Sequence, residues 1–246
     1  MNDKLQVADL QEIHTEDGST TLVHRKHNVT YKSRDGALSE SRWVFCRHLN
    51  NYPGLCRVLE LGFGTGINFK TTAQYAAKNK RSVHYLSIDH QPIPPDFIHG
   101  EDQWSQLIRQ ALTRCRESNQ VATVNHNQIK LSLYPSDWQK TAFTNLQASV
   151  IYHDPFSPKV NPQCWTKEYF AWAYRHLSLN GILTTYSAAG HVRRAMAAAG
   201  FFVARAQGFG RKREMTVAAK KEVILHGMKI KYKPNQTTDS AFEPPD

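Results

Sequence analysis

Cysteine is scarce in this chain and follows no pattern. Cys46, Cys56, Cys115 and Cys164 are scattered, with no C-x-x-C pair and no histidines at the spacing of zinc ligands. A disulfide framework and a structural metal site both require such spacing, so neither is predicted. We expect these thiols to be buried or incidental, and we expect no bound metal.

Long apolar runs are absent as well. No run reaches the roughly 18 apolar residues that a membrane-spanning helix needs, and residues 1–4 lack the basic-then-apolar order of a secretory signal. We therefore expect a soluble cytoplasmic protein with no membrane partner. A length of 246 residues predicts one large domain with modest additions.

Acidic residues are in the minority. The chain has 31 Lys and Arg against 21 Asp and Glu, a formal net charge of +10. A positive field attracts polyanions, because neutralised phosphates release their counterions. The charge therefore favours a nucleic-acid partner, with the alternative that a basic protein binds nothing anionic.

Short apolar runs recur from Arg57 onwards and alternate with helix-compatible stretches, as in a βαβ chain. Strands are predicted at 57–61, 84–89, 129–133, 149–153, 181–187 and 201–206, and helices at 67–78, 103–116, 166–179 and 190–199. A last run, 214–219, follows through a link too short for a crossover helix, which predicts an antiparallel hairpin. The expected fold is α/β, a doubly wound, mostly parallel Rossmann-like sheet with an antiparallel strand near its end.

The two ends of the chain differ from this core. Asp17-Gly18 and Asp35-Gly36 lie between short apolar segments and predict hairpins, followed by a short helix around residues 40–49. We predict a β-rich N-terminal extension at 1–50 that packs on a core domain at 51–220. Residues 221–246 are predicted to form a C-terminal tail, disordered in its polar, proline-rich stretch from 233.

A glycine-rich loop, Glu60-Leu-Gly-Phe-Gly-Thr-Gly66, ends the first core strand and opens the first core helix. Its glycines let the backbone turn sharply and approach a ligand closely. Asp89 ends the next strand about 20 residues further on, where a carboxylate can accept hydrogen bonds from ribose hydroxyls. This order predicts a nucleotide cofactor site, with a merely tight turn as the alternative.

The acidic residue at the start of the loop decides which nucleotide is favoured. A dinucleotide loop presents its helix N-terminus to a pyrophosphate, whereas the Glu60 carboxylate would repel phosphate and hold a cationic amino-acid moiety. S-adenosylmethionine carries an ammonium and a sulfonium but no phosphate, so we predict it as the cofactor. The predicted contacts are Glu60, Gly62, Phe63, Gly64, Thr65, Gly66, Asn68, Asp89, Asp137 and Trp138.

Asp137 and Trp138 come just after the third core strand. Asp137 is placed to accept a hydrogen bond from an adenine amino group, and Trp138 offers a stacking face. The alternative for Asp137 is a helix N-cap.

The loop after the fourth core strand carries Asp154-Pro155-Phe156. The carboxyl ends of parallel strands share one crevice, so this loop should face the glycine loop. N-methyltransferases use a polar residue, a proline and an aromatic to hold an amine: the polar group takes an N–H, the proline stiffens the loop and the ring packs the target. The alternative is a proline-punctuated connection in which Asp154 caps a turn.

Five segments in fixed order, spanning about residues 40 to 218, resemble the 5-aminomethyl-2-thiouridine tRNA methyltransferases, meaning the methyltransferase half of the bifunctional MnmC and its stand-alone relatives. The segments are 40–45, 60–69, 154–165, 185–194 and 208–215. The chain departs from the fused enzymes at Pro155, where they usually have Gly, and at Cys164, where Met is common. No flavin-binding oxidase half fits in the remaining residues, which implies the stand-alone form.

The resemblance implies methyl transfer to the exocyclic amine of 5-aminomethyl-(2-thio)uridine at the tRNA wobble position, giving the 5-methylaminomethyl form. It implies the anticodon stem-loop as partner and an upstream wobble-uridine modification enzyme as the source of the aminomethyl group. We predict contacts to the RNA from Lys159, Trp165, Arg193, Arg194, Arg211, Lys212 and Arg213. The alternative for residues 211–213 is a solvated hairpin turn.

Asp154, Pro155 and Phe156 are the predicted catalytic residues. An aspartate with an ordinary pKa of about 3.9 is a poor base, so we expect Asp154 to orient the amine. Desolvation by the neighbouring rings and the sulfonium charge would then drive the proton off. Two alternatives stay open: a methyltransferase or aminopropyltransferase acting on a small-molecule amine, and an inactive cofactor-binding RNA module. A polyamine site would need further acidic residues in a crevice that the sequence predicts to be basic, and the intact Asp154 loop argues against inactivity.

Overall fold

The computed structural model describes residues 4–234, and its strands form two sheets. The strands are β1 Leu10–His14, β2 Thr20–His24, β3 Val29–Thr30, β4 Cys56–Leu61, β5 Val83–Ile88, β6 Ala122–His126, β7 Ile129–Tyr134, β8 Ala148–His153, β9 Leu177–Thr185, β10 Phe202–Gln207, β11 Glu214–Ala219 and β12 Lys229–Tyr232. The α-helices are α1 Ala37–Glu40, α2 Ile67–Lys78, α3 Gln103–Ser118, α4 Lys167–His176 and α5 Gly190–Ala198.

The large sheet has the order β12-β10-β11-β9-β8-β4-β5-β7-β6 within the described residues. Strands β9, β8, β4, β5 and β7 pair in parallel. Strand β11 runs antiparallel to both β9 and β10. The predicted fold class and the predicted antiparallel hairpin are therefore confirmed.

Both edges of the large sheet differ from the prediction. Strand β6 pairs antiparallel with β7 across a two-residue turn at 127–128, and β12 pairs antiparallel with β10. Residues 229–232, predicted as tail, thus belong to the sheet. The predicted disorder beyond residue 234 lies outside the described residues.

Helices cover both faces of the large sheet, and side chains alternate between those faces along each strand. Val58 of β4 packs in the apolar core beneath α2 and α3, while Leu59 packs in the core beneath α4 and α5. Local signals fix the helix ends: α3 begins after Asp102, whose carboxylate accepts from the backbone N–H of Trp104 and Ser105. The alternation of side chains along each strand decides which of those at the strand ends can reach the crevice.

The N-terminal extension forms a separate antiparallel sheet of β1, β2 and β3, which confirms the β-rich addition and the hairpin at Asp17-Gly18. The hairpin predicted at Asp35-Gly36 is wrong, because Gly36 is instead the N-cap of α1. The predicted helix around 40–49 is instead α1 followed by short π and 3-10 turns over residues 41–51. This segment packs on the large sheet: Phe45 lies 5.2 Å from the Tyr152 ring, and Thr184 Oγ1 donates to the carbonyl of Val44. Earlier in the extension, the Tyr31 ring lies against Gly64 of the glycine loop.

Three negative findings apply to residues 4–234. No helix there is long and apolar enough to cross a membrane. No group of three or more His, Cys, Asp or Glu side chains lies together as a metal site would require. All four cysteines are buried and free.

Candidate active site

A cavity of about 320 Å³ lies at the carboxyl ends of β4, β5, β7 and β8. This volume falls in the range of small-molecule sites. Four of its walls are predicted ones: the glycine loop, the Asp89 segment, the segment 136–138 and the Asp154 loop. The fifth wall, which was not predicted from the sequence, comes from the N-terminal extension through His24, His27, Tyr31 and Lys32.

The glycine loop approaches other backbone so closely that side chains cannot fit. Gly62 has φ +87°, and a Cβ there would lie 2.7 Å from the carbonyl oxygen of Asp154. Gly64 has φ +52°, and a Cβ there would lie 2.9 Å from the Tyr31 ring. Phe63 and Thr65 also line the cavity, whereas Gly66 does not and instead forms the N-cap of α2.

The Asp89 carboxylate accepts hydrogen bonds from the backbone amides of the glycine loop. Its Oδ2 accepts from the N–H of Phe63 and of Gly64, each at 3.0 Å, and its Oδ1 accepts from the N–H of Gln91. A bound pyrophosphate would need such amides at the start of a helix. A carboxylate in that place repels phosphate, so the loop suits a phosphate-free, positively charged nucleoside.

The predicted contact between Glu60 and the cofactor is wrong in this structure. Alternation along β4 puts Glu60 on the same face as Val58, beneath α2, and it does not line the cavity. Its oxygens accept from Asn68 Nδ2 at 2.9 Å and Ser87 Oγ at 2.8 Å, and burial raises the pKa of its carboxyl to about 8. The carboxylate that disfavours phosphate is Asp89. Asn68, also predicted as a cofactor contact, is likewise buried away from the cavity.

Asp137 and Trp138 also line the cavity. Asp137 precedes the short 3-10 helix Trp138–Lys140, but its side chain makes no capping hydrogen bond, which weakens the alternative weighed for it. Trp138 packs edge-on against Tyr169, and its buried Nε1 has no partner among the described residues. A buried N–H without a partner is rare in proteins and marks a place for an acceptor on a ligand or water. The adenine contacts remain predictions.

The Asp154 loop is fixed from below by three hydrogen bonds. The N–H of Asp154 donates to the carbonyl of Leu61, Tyr186 Oη donates to the carbonyl of Pro155, and Trp165 Nε1 donates to the carbonyl of Phe156. Asp154, Pro155 and Phe156 all line the cavity, as predicted from their position. Trp165, predicted to contact the RNA, is buried beneath the loop and does not line the cavity. Here it supports the loop through its hydrogen bond to the carbonyl of Phe156.

The Asp154 carboxylate is almost completely enclosed, with 6% of its side chain exposed. Both hydrogen bonds found for it end on Oδ2: one from Lys32 Nζ and one from Asn68 Nδ2 at 2.8 Å. Burial raises its pKa to about 6, although Lys32 acts in the opposite direction. This carboxylate is a stronger base than the ordinary aspartate assumed from the sequence.

The predicted RNA contacts separate into two groups. Arg193 is 4% exposed, and its guanidinium donates to Thr216 Oγ1, Glu214 Oε2 and the carbonyl of Met215, which ties α5 to β11. Its predicted contact with phosphate is therefore wrong. The other cations are exposed at the surface: Lys159, Arg194, Arg211, Lys212 and Arg213.

The link between β10 and β11 contacts the N-terminal extension through Arg211. Arg211 is 85% exposed and lies within 3.5 Å of Asp35 and 3.3 Å of Glu16, while Lys212 Nζ lies 4.3 Å from the centre of the Tyr186 ring.

The cavity itself is not basic, contrary to the prediction, because Asp89, Asp137 and Asp154 line it together with Lys32. The exposed cations belong to the outer surface.

Comparisons with known proteins agree with this architecture. The chain is similar to the tRNA 5-methylaminomethyl-2-thiouridine biosynthesis bifunctional protein MnmC of Ectopseudomonas mendocina, with 32% identity over 78% of this chain and 32% of that protein. It is 30% identical to the protein of the same name from Hahella chejuensis, over 79% of this chain and 34% of that protein. The chain thus spans about a third of the length of these curated relatives.

A solved structure, MNMC2 from Aquifex aeolicus, is 26% identical and superposes with a TM-score of 0.74, covering 86% of this chain and 70% of that one. A family model described as S-adenosyl-L-methionine-dependent methyltransferase matches residues 99–221, which is half of the chain. The matched part includes the Asp154 loop, Asp137 and Trp138. The chain therefore belongs to the family of S-adenosyl-L-methionine-dependent methyltransferases.

Proposed function

We propose that this methyltransferase acts on the exocyclic amine of 5-aminomethyl-(2-thio)uridine at the tRNA wobble position and produces the 5-methylaminomethyl form. The observation that carries the proposal is the Asp154 carboxylate. It lines the cavity beside the glycine loop, and both of its hydrogen bonds end on Oδ2, which leaves Oδ1 for an amine N–H. The relatives' name, which specifies 5-methylaminomethyl-2-thiouridine biosynthesis, supports this choice of amine.

The cofactor part of the proposal rests on the cavity walls. Gly62, Phe63, Gly64 and Thr65 supply a close backbone wall, and Asp89 disfavours phosphate there. S-adenosylmethionine, when bound, supplies an electrophilic methyl on a positively charged sulfur. Asp137 and Trp138 are proposed to hold its adenine.

The protein must also present the amine unprotonated and aligned with the methyl group. A lysine-like amine has a pKa near 10.4, so neutralising it at pH 7 costs roughly 4 to 5 kcal/mol. The walls formed by Pro155 and Phe156 remove water and so penalise the ammonium form. Asp154 accepts one N–H and thereby aims the nitrogen lone pair.

The test of this function is methyl transfer itself. We expect isotopically methyl-labelled S-adenosylmethionine and tRNA bearing 5-aminomethyluridine to give labelled 5-methylaminomethyl nucleoside, identified by mass spectrometry. The same tRNA without the aminomethyl group is the control and should stay unlabelled. Label found only in added small amines would favour a small-molecule enzyme, and cofactor binding with no transfer to either would favour an inactive RNA module.

The tRNA anticodon stem-loop is proposed to lie against the exposed cations of the outer surface: Lys159, Arg194, Arg211, Lys212 and Arg213. In the same proposal, residues 51–220 form the methyltransferase domain, and residues 1–50 are an N-terminal extension that packs on it. A cytoplasmic location and an upstream enzyme that supplies the aminomethyl group complete it.

Replacing Arg211, Lys212 and Arg213 together by Gln should weaken tRNA binding and make it less dependent on salt. Log affinity decreases with log salt concentration, and each phosphate contact adds about 0.7 to 0.9 to the steepness of that decrease. We therefore expect the steepness to be smaller by about 2 to 3 in the triple variant. Filter binding or fluorescence anisotropy at several salt concentrations measures this. An unchanged slope would mean that the segment is only a solvated turn.

Arg193→Met is the matched control, because Arg193 is buried rather than exposed. Its loss leaves Thr216 Oγ1 and the carbonyl of Met215 without their buried donor, so we expect the free energy of unfolding to fall by about 2 kcal/mol. The salt slope of tRNA binding should not change.

A further inference from the structure

Lys32 is a buried cation in the cavity wall that comes from the N-terminal extension. It is 7% exposed, and its Nζ donates to Asp154 Oδ2 and, at 2.9 Å, to Asn68 Oδ1. The same Nζ lies 4.6 Å from the centre of the Phe45 ring. Lysine is almost never this buried unless it is paired, and here its partner is the reactive loop, 122 residues away in the chain.

The surroundings of this pair are rich in titratable groups. Those that face Asp154 or Lys32 from the packed elements are Glu40 on α1, Glu60 on β4, Tyr85 on β5, Tyr186 after β9 and the neighbouring Tyr31. Asn68 on α2 connects them, because its amide bonds Glu60, Asp154 and Lys32. Lys32 contributes the ammonium in this otherwise acidic and phenolic cluster.

We propose that Lys32 is a positioning residue for methyl transfer: it pins Asp154 through Oδ2, so that Oδ1 is left to the substrate amine, and its fixed charge opposes a second ammonium beside it. The inference rests on the proposed function, since it assumes an amine bound at Asp154. It also gives the N-terminal extension a part in the reaction, which its sequence did not indicate.

A carboxylate held by two donors on one oxygen has a fixed plane, and the correct orientation of reacting groups is worth orders of magnitude in rate. A cation within about 4 to 6 Å lowers the pKa of a carboxyl group and of a second ammonium alike, by about 1 to 3 units. Lys32 therefore favours the ionised carboxylate and the neutral amine together, which is the pair that the reaction needs.

The experiment compares wild-type protein with Lys32→Met across pH, with the labelled tRNA nucleoside as the readout. We expect kcat to fall roughly 100-fold and the pH of half-maximal kcat to rise by about 1 unit or more. The affinity for S-adenosylmethionine should stay within a few-fold. Lys70→Met is the matched control: its Nζ lies 2.7 Å from Asp102 and does not line the cavity, so kcat and the pH profile should not change.

Lys32→Ala supplies a second readout. Added ethylammonium should restore part of its turnover on tRNA, whereas ethanol of similar size should not, because only the former returns a cation to the space. Wild-type kcat and pH profile in Lys32→Met would overturn the inference. So would a lower kcat with an unshifted profile and no rescue of Lys32→Ala, which is the result for a purely structural residue. Failure of the wild-type protein to label the nucleoside would instead overturn the proposed function.

Discussion

Replacing Asp154 by Asn should lower kcat by roughly 100- to 10,000-fold, the range expected for loss of a group that positions or accepts a proton. The substitution keeps the size of the side chain but removes its charge and part of its capacity to accept hydrogen bonds. Lys32 and Asn68 would then face a neutral amide in place of the carboxylate that they now hold. Steady-state measurement of nucleoside methylation gives kcat, and calorimetry gives the affinity for S-adenosylmethionine, which should change little.

Asp137→Asn is the matched control, since it makes the same chemical change at another carboxylate that lines the same cavity. Asp137 is proposed to contact adenine, so its loss should weaken cofactor binding while kcat at saturating cofactor stays near that of the wild-type protein. If Asp154→Asn kept wild-type kcat, Asp154 would have no part in the mechanism.

Gly62→Ala should damage both the loop and the reaction. A Cβ at Gly62 would lie 2.7 Å from the carbonyl oxygen of Asp154 and 3.3 Å from Pro155 Cα, at φ +87°. The positive φ alone costs about 1 to 3 kcal/mol for a residue with a side chain. The clash adds a displacement of the Asp154 backbone, and a shift of about 1 Å at a reactive group lowers the rate roughly 100-fold. Thermal unfolding and kcat measure the two effects.

Gly18→Ala separates backbone strain from the clash. Gly18 has a similar φ of +78°, but a Cβ there would meet nothing within 4 Å. We therefore expect a lower melting temperature with unchanged kcat. Equal effects of the two substitutions on kcat would show that the close contact between the glycine loop and the Asp154 loop has no role in catalysis.

Much of the fold follows from local signals in the sequence. The parallel core strands are short apolar runs, and the glycine loop lies where a strand gives way to a helix, so both were predictable. Strands β6 and β12 were missed because each is short and lies at a sheet edge, where partly exposed strands lack a strong apolar pattern. Their placement depends on pairing with β7 and β10 rather than on their own residues.

The site residues that were predicted wrongly or missed have identifiable causes in the sequence. Glu60 lies two positions after Val58, so the alternation of β4 already placed it on a buried face. Arg193 shares the buried face of α5 with Val192, Met196 and Ala197, a spacing that the sequence displays. Lys32 gave no such signal, because its hydrogen-bond partners lie far along the chain, Asn68 by 36 positions and Asp154 by 122.

The central claim is that Asp89, by occupying the amides of Phe63 and Gly64, makes the glycine loop a site for a cationic, phosphate-free nucleoside. Titration calorimetry with S-adenosylmethionine, its demethylated product and NAD tests this directly. We expect saturable binding of the first two at one site per chain and no detectable binding of NAD. Saturable binding of NAD, with none for S-adenosylmethionine, would contradict it.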